Sequence, residues 1–203
     1  MNQKAKSKAV VIIPTYNESK NVEKVITAVF EATEDVRNWV VSILVVDDTS
    51  PDKTYEIVEK LQKKFSRLEL LVNPNKAGLG GAYLKGMNHA FSKLDADVVF
   101  EFDADLSHDP KKIPAFLQAI DHGADMVLGS RYSLGGSIPE DWGIHRKFLS
   151  VFGNFIIMVV LTDFRIRDWT TGFRAISKKV YKAVSPEMHS ERFSGYTFQI
   201  GFL

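Results

Sequence analysis

From Ala9 to Leu128, short continuously apolar runs alternate with stretches whose apolar residues recur at helical spacing. Ala9–Ile13, Val40–Val46, Leu68–Val72, Val98–Phe102 and Met126–Leu128 read as strands. Between them, Asn21–Thr33 carries Val22, Val25, Ile26, Val29 and Phe30 on one stripe and reads as a helix. A second helix is expected from about Asp52 to Phe65. A third covers Ala82–Phe91, led in by the glycine-containing segment Lys76–Gly81. Asp109-Pro110 has the form of an N-cap followed by proline at the first helical position, opening a fourth helix to about His122. The strands are apolar throughout rather than alternating, which predicts strands covered on both faces. The expected fold is therefore α/β, a mostly parallel central sheet with helices on both sides. After Gly129 the alternation stops. There is no internal repeat, low-complexity linker or domain boundary.

In sheets of this kind ligands bind beyond the carboxyl ends of the strands. The polar residues found there are Thr15-Tyr16-Asn17-Glu18, Asp47-Asp48, Asp103-Ala104-Asp105 and Ser130-Arg131. Three of these four sets carry carboxylates. Asp103 and Asp105 stand at i and i+2, so in extended chain they face one point and repel unless a cation lies between them. Mg²⁺ or Mn²⁺ suits such a pair, because such ions are held by one or two carboxylates plus substrate phosphates. The plainer reading is a solvated turn with two helix-capping acids. Asp48 can accept from a ribose hydroxyl or a base amide; alternatively Asp47-Asp48 forms a turn that caps the next helix. Tyr16 can flank a nucleobase or pack the sheet edge, and Glu18 can cap the following helix. Arg131 faces the same rim as the acids and suits an anionic ligand, or else pairs with one of the aspartates.

Composition narrows the classes further. The 203 residues are 45% hydrophobic and 25% charged, a globular profile. The net charge of +1 offers no basic field for nucleic acid. Without cysteine there is no disulfide, thiolate metal site or thiol nucleophile. Met1–Lys8 forms a polar tail, and no apolar signal core follows it, so export by a signal peptide is not expected. Phe148–Leu161 is the one long apolar stretch, interrupted by Ser150, Gly153 and Asn154. It falls short of the roughly 20 residues of a spanning helix. It reads either as a buried helix or as one lying on a bilayer surface. Arg146, Lys147, Arg165, Arg167 and Arg174 surround it and suit an anionic headgroup. The histidines stand at no metal-site spacing and read as structural.

Two other readings fail on context. Gly78-Leu79-Gly80-Gly81 does not follow a strand directly, so it is no dinucleotide fingerprint. Ile43–Asp48 resembles the acid-bearing strand of a phosphoacceptor signalling module. A complete βα unit precedes it, however, and Ser130-Arg131 stands where that module carries lysine.

Five segments occur in order: Ile13-Pro14-Thr15-Tyr16-Asn17-Glu18, Val46-Asp47-Asp48-Thr49-Ser50-Pro51, Asp103-Ala104-Asp105-Leu106-Ser107-His108-Asp109-Pro110, Gly129-Ser130-Arg131-Tyr132 and Thr171-Gly172-Phe173-Arg174. Together they resemble the family 2 glycosyltransferases of GT-A fold. Within these, the last three are most similar to the polyprenol-phosphate (dolichol-phosphate) mannosyltransferases. The resemblance runs from about Ala9 to Gln199. It implies a nucleotide-sugar donor, GDP-mannose, a divalent cation (Mg²⁺ or Mn²⁺), and an isoprenoid phosphate acceptor at the cytoplasmic face of a membrane. Carried over by position, it implies that Pro14, Tyr16, Glu18, Val46 and Asp48 hold the nucleotide and that Asp103, Ala104 and Asp105 face the diphosphate. It also implies Asp103, Asp105 and Ser107 as metal ligands, Arg131 on phosphate and Arg146 on the acceptor phosphate. Other donors, such as UDP-glucose, and a sugar hydroxyl acceptor are the alternatives within the family. A phosphate acceptor needs no general base, whereas a hydroxyl needs one, for which Asp168 is the local candidate. Its other role is pairing with Arg167 or Arg174. The chain departs from its relatives at Phe198-Gln199-Ile200-Gly201. It ends before a further strand and basic segment, so residues 9–203 read as a catalytic domain lacking its C-terminal end.

Overall fold

The computed structural model describes residues 6–133, 136, 138, 143–162 and 164–188, without the side chains of Arg146, Glu187 and Met188. Six strands form one sheet: β1 (Ser7–Thr15), β2 (Trp39–Asp47), β3 (Leu68–Val72), β4 (Val98–Glu101), β5 (Met126–Leu128) and β6 (Arg174–Ser177). Their order is β3-β2-β1-β4-β6-β5. β1 to β4 run parallel, and β6 lies antiparallel between β4 and β5. The helices are α1 (Val22–Thr33), α2 (Thr54–Gln62), α3 (Gly78–Ser92), α4 (Ile113–Asp121), α5 (Ile144–Val160) and α6 (Lys178–Met188).

The expected α/β architecture holds, with a core on each face of the sheet. One face packs Val11, Ile13, Ile43, Val45 and Phe100 with α1 and α4, and the other packs Val10, Ile12, Leu44, Val46 and Val99 with α3. Alternate residues of β1 and β2 thus serve opposite cores, as the period of a strand requires. β1 runs past the predicted end at Ile13 and includes Pro14, which pairs with Val46. A central strand tolerates that proline because β4 pairs only with Ala9–Ile12. The missing amide faces the side on which the ladder has already ended.

Two expectations are corrected. Gly78–Gly81 is the first turn of α3 rather than a lead-in, and the turn is tight at Gly81, where a Cβ would stand 2.8 Å from the Ala77 Cβ. The alternation also resumes after residue 129 with β6 and α6. The apolar stretch from Phe148 is helical to Val160, within α5, and Leu161 caps it.

Candidate functional site

The order β3-β2-β1-β4 reverses direction between β1 and β4, and at such a point two strand ends diverge to leave a crevice. Tyr16–Glu18 leave one lip and Asp103–Ser107 the other. Of the predicted residues, Pro14 and Glu18 are half-buried and Tyr16 is 41% exposed. The Lys76 ammonium stands 3.4 Å from the centre of the Tyr16 ring. The Glu18 carboxylate accepts from the Asn21 side chain at 3.0 Å and its backbone carbonyl, not its side chain, accepts the Asn21 and Val22 amides at the start of α1, while its own amide donates to Thr54.

Val46 is fully buried, so only its backbone borders the crevice. The adjacent aspartates differ. Asp47 is inaccessible and accepts from Thr15 Oγ1, Ser50 Oγ and the Ser50 amide at 2.7–2.8 Å. Asp48 accepts from Asn73 Nδ2 at 2.6 Å and from the Ala77 and Gly78 amides at 3.0 Å. It therefore anchors the start of α3, where a carboxylate meets the positive end of the helix. The acid at the start of α2 is instead Asp52, which accepts from both the amide and the hydroxyl of Thr54.

β4 stops at Glu101, so Asp103-Ala104-Asp105 lies in a turn beyond the strand, not in extended chain. The two acids still interact: burial first, and the Asp105 charge further, push the Asp103 carboxyl up, while His108 and Tyr83 pull it down. Asp103 accepts from the Tyr83 hydroxyl at 2.8 Å, and its Oδ2 lies 3.5 Å from His108 Nε2. Asp105 is exposed and accepts from the Ser107 amide at 2.9 Å, and Ser107 is exposed beside it. Ala104 is buried and fixes the turn to the core. The carboxylates of Asp103 and Asp105 and the Ser107 hydroxyl are hard oxygen donors. They fit Mg²⁺ or Mn²⁺ as part of a set completed by phosphate oxygens and water. Among the described residues no three His, Asp or Glu converge as a metal cage.

Arg131 does not pair with these acids. Its Nε and Nη2 donate to Asp168 at 2.8 and 2.7 Å, and its amide adds a third bond to that carboxylate at 3.0 Å. Nη2 also reaches Thr170 at 2.8 Å. Asp168 is buried and its hydrogen-bonded ion pair is with Arg131, a partner not among those considered for it, while its charge also acts on Arg174. Arg174 is no surface cation either. It is fully buried, with Nε 3.7 Å from Glu101 and 2.8 Å from the Thr171 carbonyl oxygen. The Arg146 side chain, Trp142 and Phe198–Gly201 lie outside the described residues.

Three contributors escaped the sequence reading. Tyr83 lay inside a helical pattern, and His108 read as a structural turn residue. Asn154 looked like a break in an apolar run. Its Oδ1 accepts the Trp169 amide at 2.8 Å and its Nδ2 donates to the Arg167 carbonyl, tying α5 to the loop that carries Asp168. A polar residue alone on an apolar helix was the signal available. Beneath α5 a cavity of about 350 Å³ is lined by Tyr132, Val151, Asn154, Phe155, Met158, Phe164 and Arg167.

The chain is similar to known proteins. A dolichol-phosphate mannosyltransferase from Pyrococcus furiosus is 36% identical over 178 residues, 87% of this chain and 48% of the relative. A polyprenol monophosphomannose synthase from Mycolicibacterium smegmatis is 37% identical over 194 residues, 95% of this chain and 69% of the relative. The chain thus spans about half the length of the first and about two thirds of the second. Among solved structures, glucosyl-3-phosphoglycerate synthase from Mycobacterium tuberculosis, in complex with UDP, superposes with a TM-score of 0.63 at 17% identity. That match covers 97% of this chain and 64% of the other. A mannosyltransferase from Pyrobaculum calidifontis, in complex with GDP-mannose and Mn²⁺, gives 0.58 at 18% identity, covering 89% and 47%. These two likenesses establish the GT-A fold. The model of "Glycosyl transferase family 2" matches residues 10–185, from β1 into α6, and with its acid turn at the GT-A crevice this chain belongs to that family.

Proposed function

We propose that this chain transfers a mannosyl group from GDP-mannose to a polyprenol phosphate by a single displacement with inversion. The observation that carries the reading is the acid turn Asp103–Asp105 at the switch point, in a chain 36–37% identical to proteins named for that reaction. Tyr16 and Glu18 border the nucleotide, with the backbone of Pro14 and Val46 forming the floor and Asp48 holding the start of α3 at its side. Asp103, Ala104 and Asp105 face the diphosphate. Asp105 and Asp103, with Ser107, hold the cation. When bound, that cation neutralises the charge that builds on the departing diphosphate.

Asp168 supports a phosphate acceptor. Its carboxylate takes three hydrogen bonds from Arg131, so it is not placed to remove a proton from a sugar hydroxyl. A phosphate monoester is already ionised near neutral pH and requires positioning rather than deprotonation. Arg131, oriented by Asp168, serves the phosphate, and Arg146 receives the acceptor phosphate. The cavity under α5 suits an isoprenoid chain, and the apolar face of α5 rests on a membrane surface. No helix among the described residues is long and apolar enough to cross a membrane.

The test is a donor screen with the purified chain, Mn²⁺ or Mg²⁺ and a short isoprenyl phosphate. Mannosyl phosphoisoprenoid is expected from GDP-mannose alone. Product from UDP-glucose, or only with a sugar hydroxyl, would overturn the assignment. Asp105→Ala should remove Mn²⁺-dependent donor binding, and unchanged affinity by calorimetry would refute the placement of the diphosphate.

A further inference from the structure

The two acids of the turn are not held alike. Asp105 stands on the exposed side and receives one backbone amide. The Asp103 carboxylate is gripped from two directions. From α3, Tyr83 donates its hydroxyl to Oδ1 at 2.8 Å. Tyr83 is completely buried, so its hydroxyl is held at that carboxylate by the packing around the ring. From the turn itself, His108 Nδ1 accepts the Asp103 amide at 3.1 Å, which assigns the ring proton to Nε2 in the neutral form. That nitrogen faces Oδ2 at 3.5 Å. The imidazole cannot swing, because it stacks on Phe173 and meets Phe102 edge-on, each with ring centres 5.2 Å apart.

The reach of Tyr83 depends on packing one turn further along α3. Gly86 carries no side chain where a Cβ would stand 2.7 Å from Ile12 Cγ2 and 3.1 Å from Val46 Cγ2. The helix therefore lies close on β1 and β2, and Tyr83 arrives beside the end of β4. Residues from α3 and from the turn thus converge on one carboxylate, and Phe173, just before β6, backs the imidazole.

We propose that Tyr83 and His108 are positioning residues that fix the direction of the Asp103 carboxylate toward the cation and diphosphate of the donor. This rests on the placement of the diphosphate at Asp103–Asp105 given above. Groups that hydrogen-bond a metal-bound carboxylate set its orientation, and their loss typically lowers metal affinity on the order of 10- to 100-fold. The two nitrogens of His108 have separate duties, which amide substitutions separate. Glutamine places its amide near the Nε2 position and keeps the group that faces Oδ2. Asparagine reaches only the Nδ1 position and keeps the bond to the Asp103 amide.

The experiment titrates the purified chain with GDP in the presence and absence of Mn²⁺ by calorimetry, with Mn²⁺ paramagnetic resonance as a second readout. Wild type should gain affinity for GDP with Mn²⁺. Tyr83→Phe, which keeps the buried ring, and His108→Asn should lose that gain on the order of 10- to 100-fold. Their metal-free affinity for GDP should stay near wild type, and His108→Gln should retain most of the gain. Circular dichroism melting confirms that each variant is folded. Wild-type gain in both Tyr83→Phe and His108→Asn overturns the proposal and leaves the site itself intact. Rescue by asparagine instead of glutamine overturns the role of Nε2. If wild type shows no gain with Mn²⁺, both the site reading and this proposal fall.

Discussion

Glu101 lies at the floor of the site, two residues before Asp103, with no exposure. Neither of its carboxylate oxygens has a hydrogen-bond partner among the described residues, and Arg174 Nε stands 3.7 Å away. Burial dominates there. It pushes the carboxyl from 4.5 up to about 7, against the pull of the arginine. The sign of the consequence follows from proton linkage. Between 4.5 and about 7 the folded chain binds this proton and the unfolded chain does not. Stability from this group is therefore fully present below 4.5 and is lost as pH rises to about 7. Glu101→Gln keeps the shape and removes the titration. Urea midpoints measured from pH 4.5 to 7.5 should fall more steeply in wild type than in the variant, and parallel curves would show that Glu101 titrates normally. None of this was legible in the sequence, where Glu101 passes as a residue of an apolar strand. Asp103 and Asp105 were legible because placement after a strand narrows what a carboxylate pair can do. The partner of Arg131 was not, because Asp168 is 37 residues away and only the fold brings the two together.

Elements whose pattern was periodic emerged as expected: α1, β3 and β5 match within a residue. β6 did not, because Arg174-Ala175-Ile176-Ser177 carries two apolar residues and its arginine is inside the protein. A strand that buries a guanidinium beside a glutamate leaves no apolar signature. α3 was expected to begin at Ala82 because its glycines looked like a loop. They form its first turn instead, and the close seat of that helix on the sheet rests on Gly86, which Gly86→Ala tests. The new methyl would meet Ile12 and Val46, both fully buried in central strands and unable to yield. Overpacking of this kind costs about 1–3 kcal/mol. Better helix propensity returns up to about 1 kcal/mol. With the full return, the variant should still be destabilised, by up to about 2 kcal/mol in urea denaturation. A gain in stability would mean that the helix can lift from the sheet at no cost.

For the whole molecule, the proposed work at a membrane surface rests on the apolar face of α5 and not on charge. Net charge is only +1, so no general field draws the chain to anionic lipid. The apolar surface, however, is gathered on α5. Phe148, Leu149, Phe152, Phe155, Ile156, Val159 and Val160 recur at three- and four-residue intervals and are 44–72% exposed. Asn154, on the opposite side, is buried against the Arg167–Trp169 loop. A helix anchored by one polar residue and apolar outward is neither a core helix nor an ordinary surface helix. At 17 residues it is about 25 Å long, short of the roughly 30 Å of a bilayer core. That length and the outward apolar face support the proposed position along a bilayer interface rather than across it. Phe148 and Phe152 stack on each other with ring centres 5.6 Å apart, making one exposed wedge. Burying the exposed half of each ring in the interface contributes about 1 kcal/mol apiece. The double change Phe148→Ser, Phe152→Ser should then lower partitioning onto vesicles roughly tenfold or more. Melting temperature should hold, because both side chains face outward. In co-flotation with phosphatidylcholine–phosphatidylglycerol vesicles, wild type should rise with the lipid, less so at high salt as the electrostatic share is screened. Wild type remaining in the lower fractions at low salt would remove the membrane from this account and leave the exposed face of α5 for another protein surface.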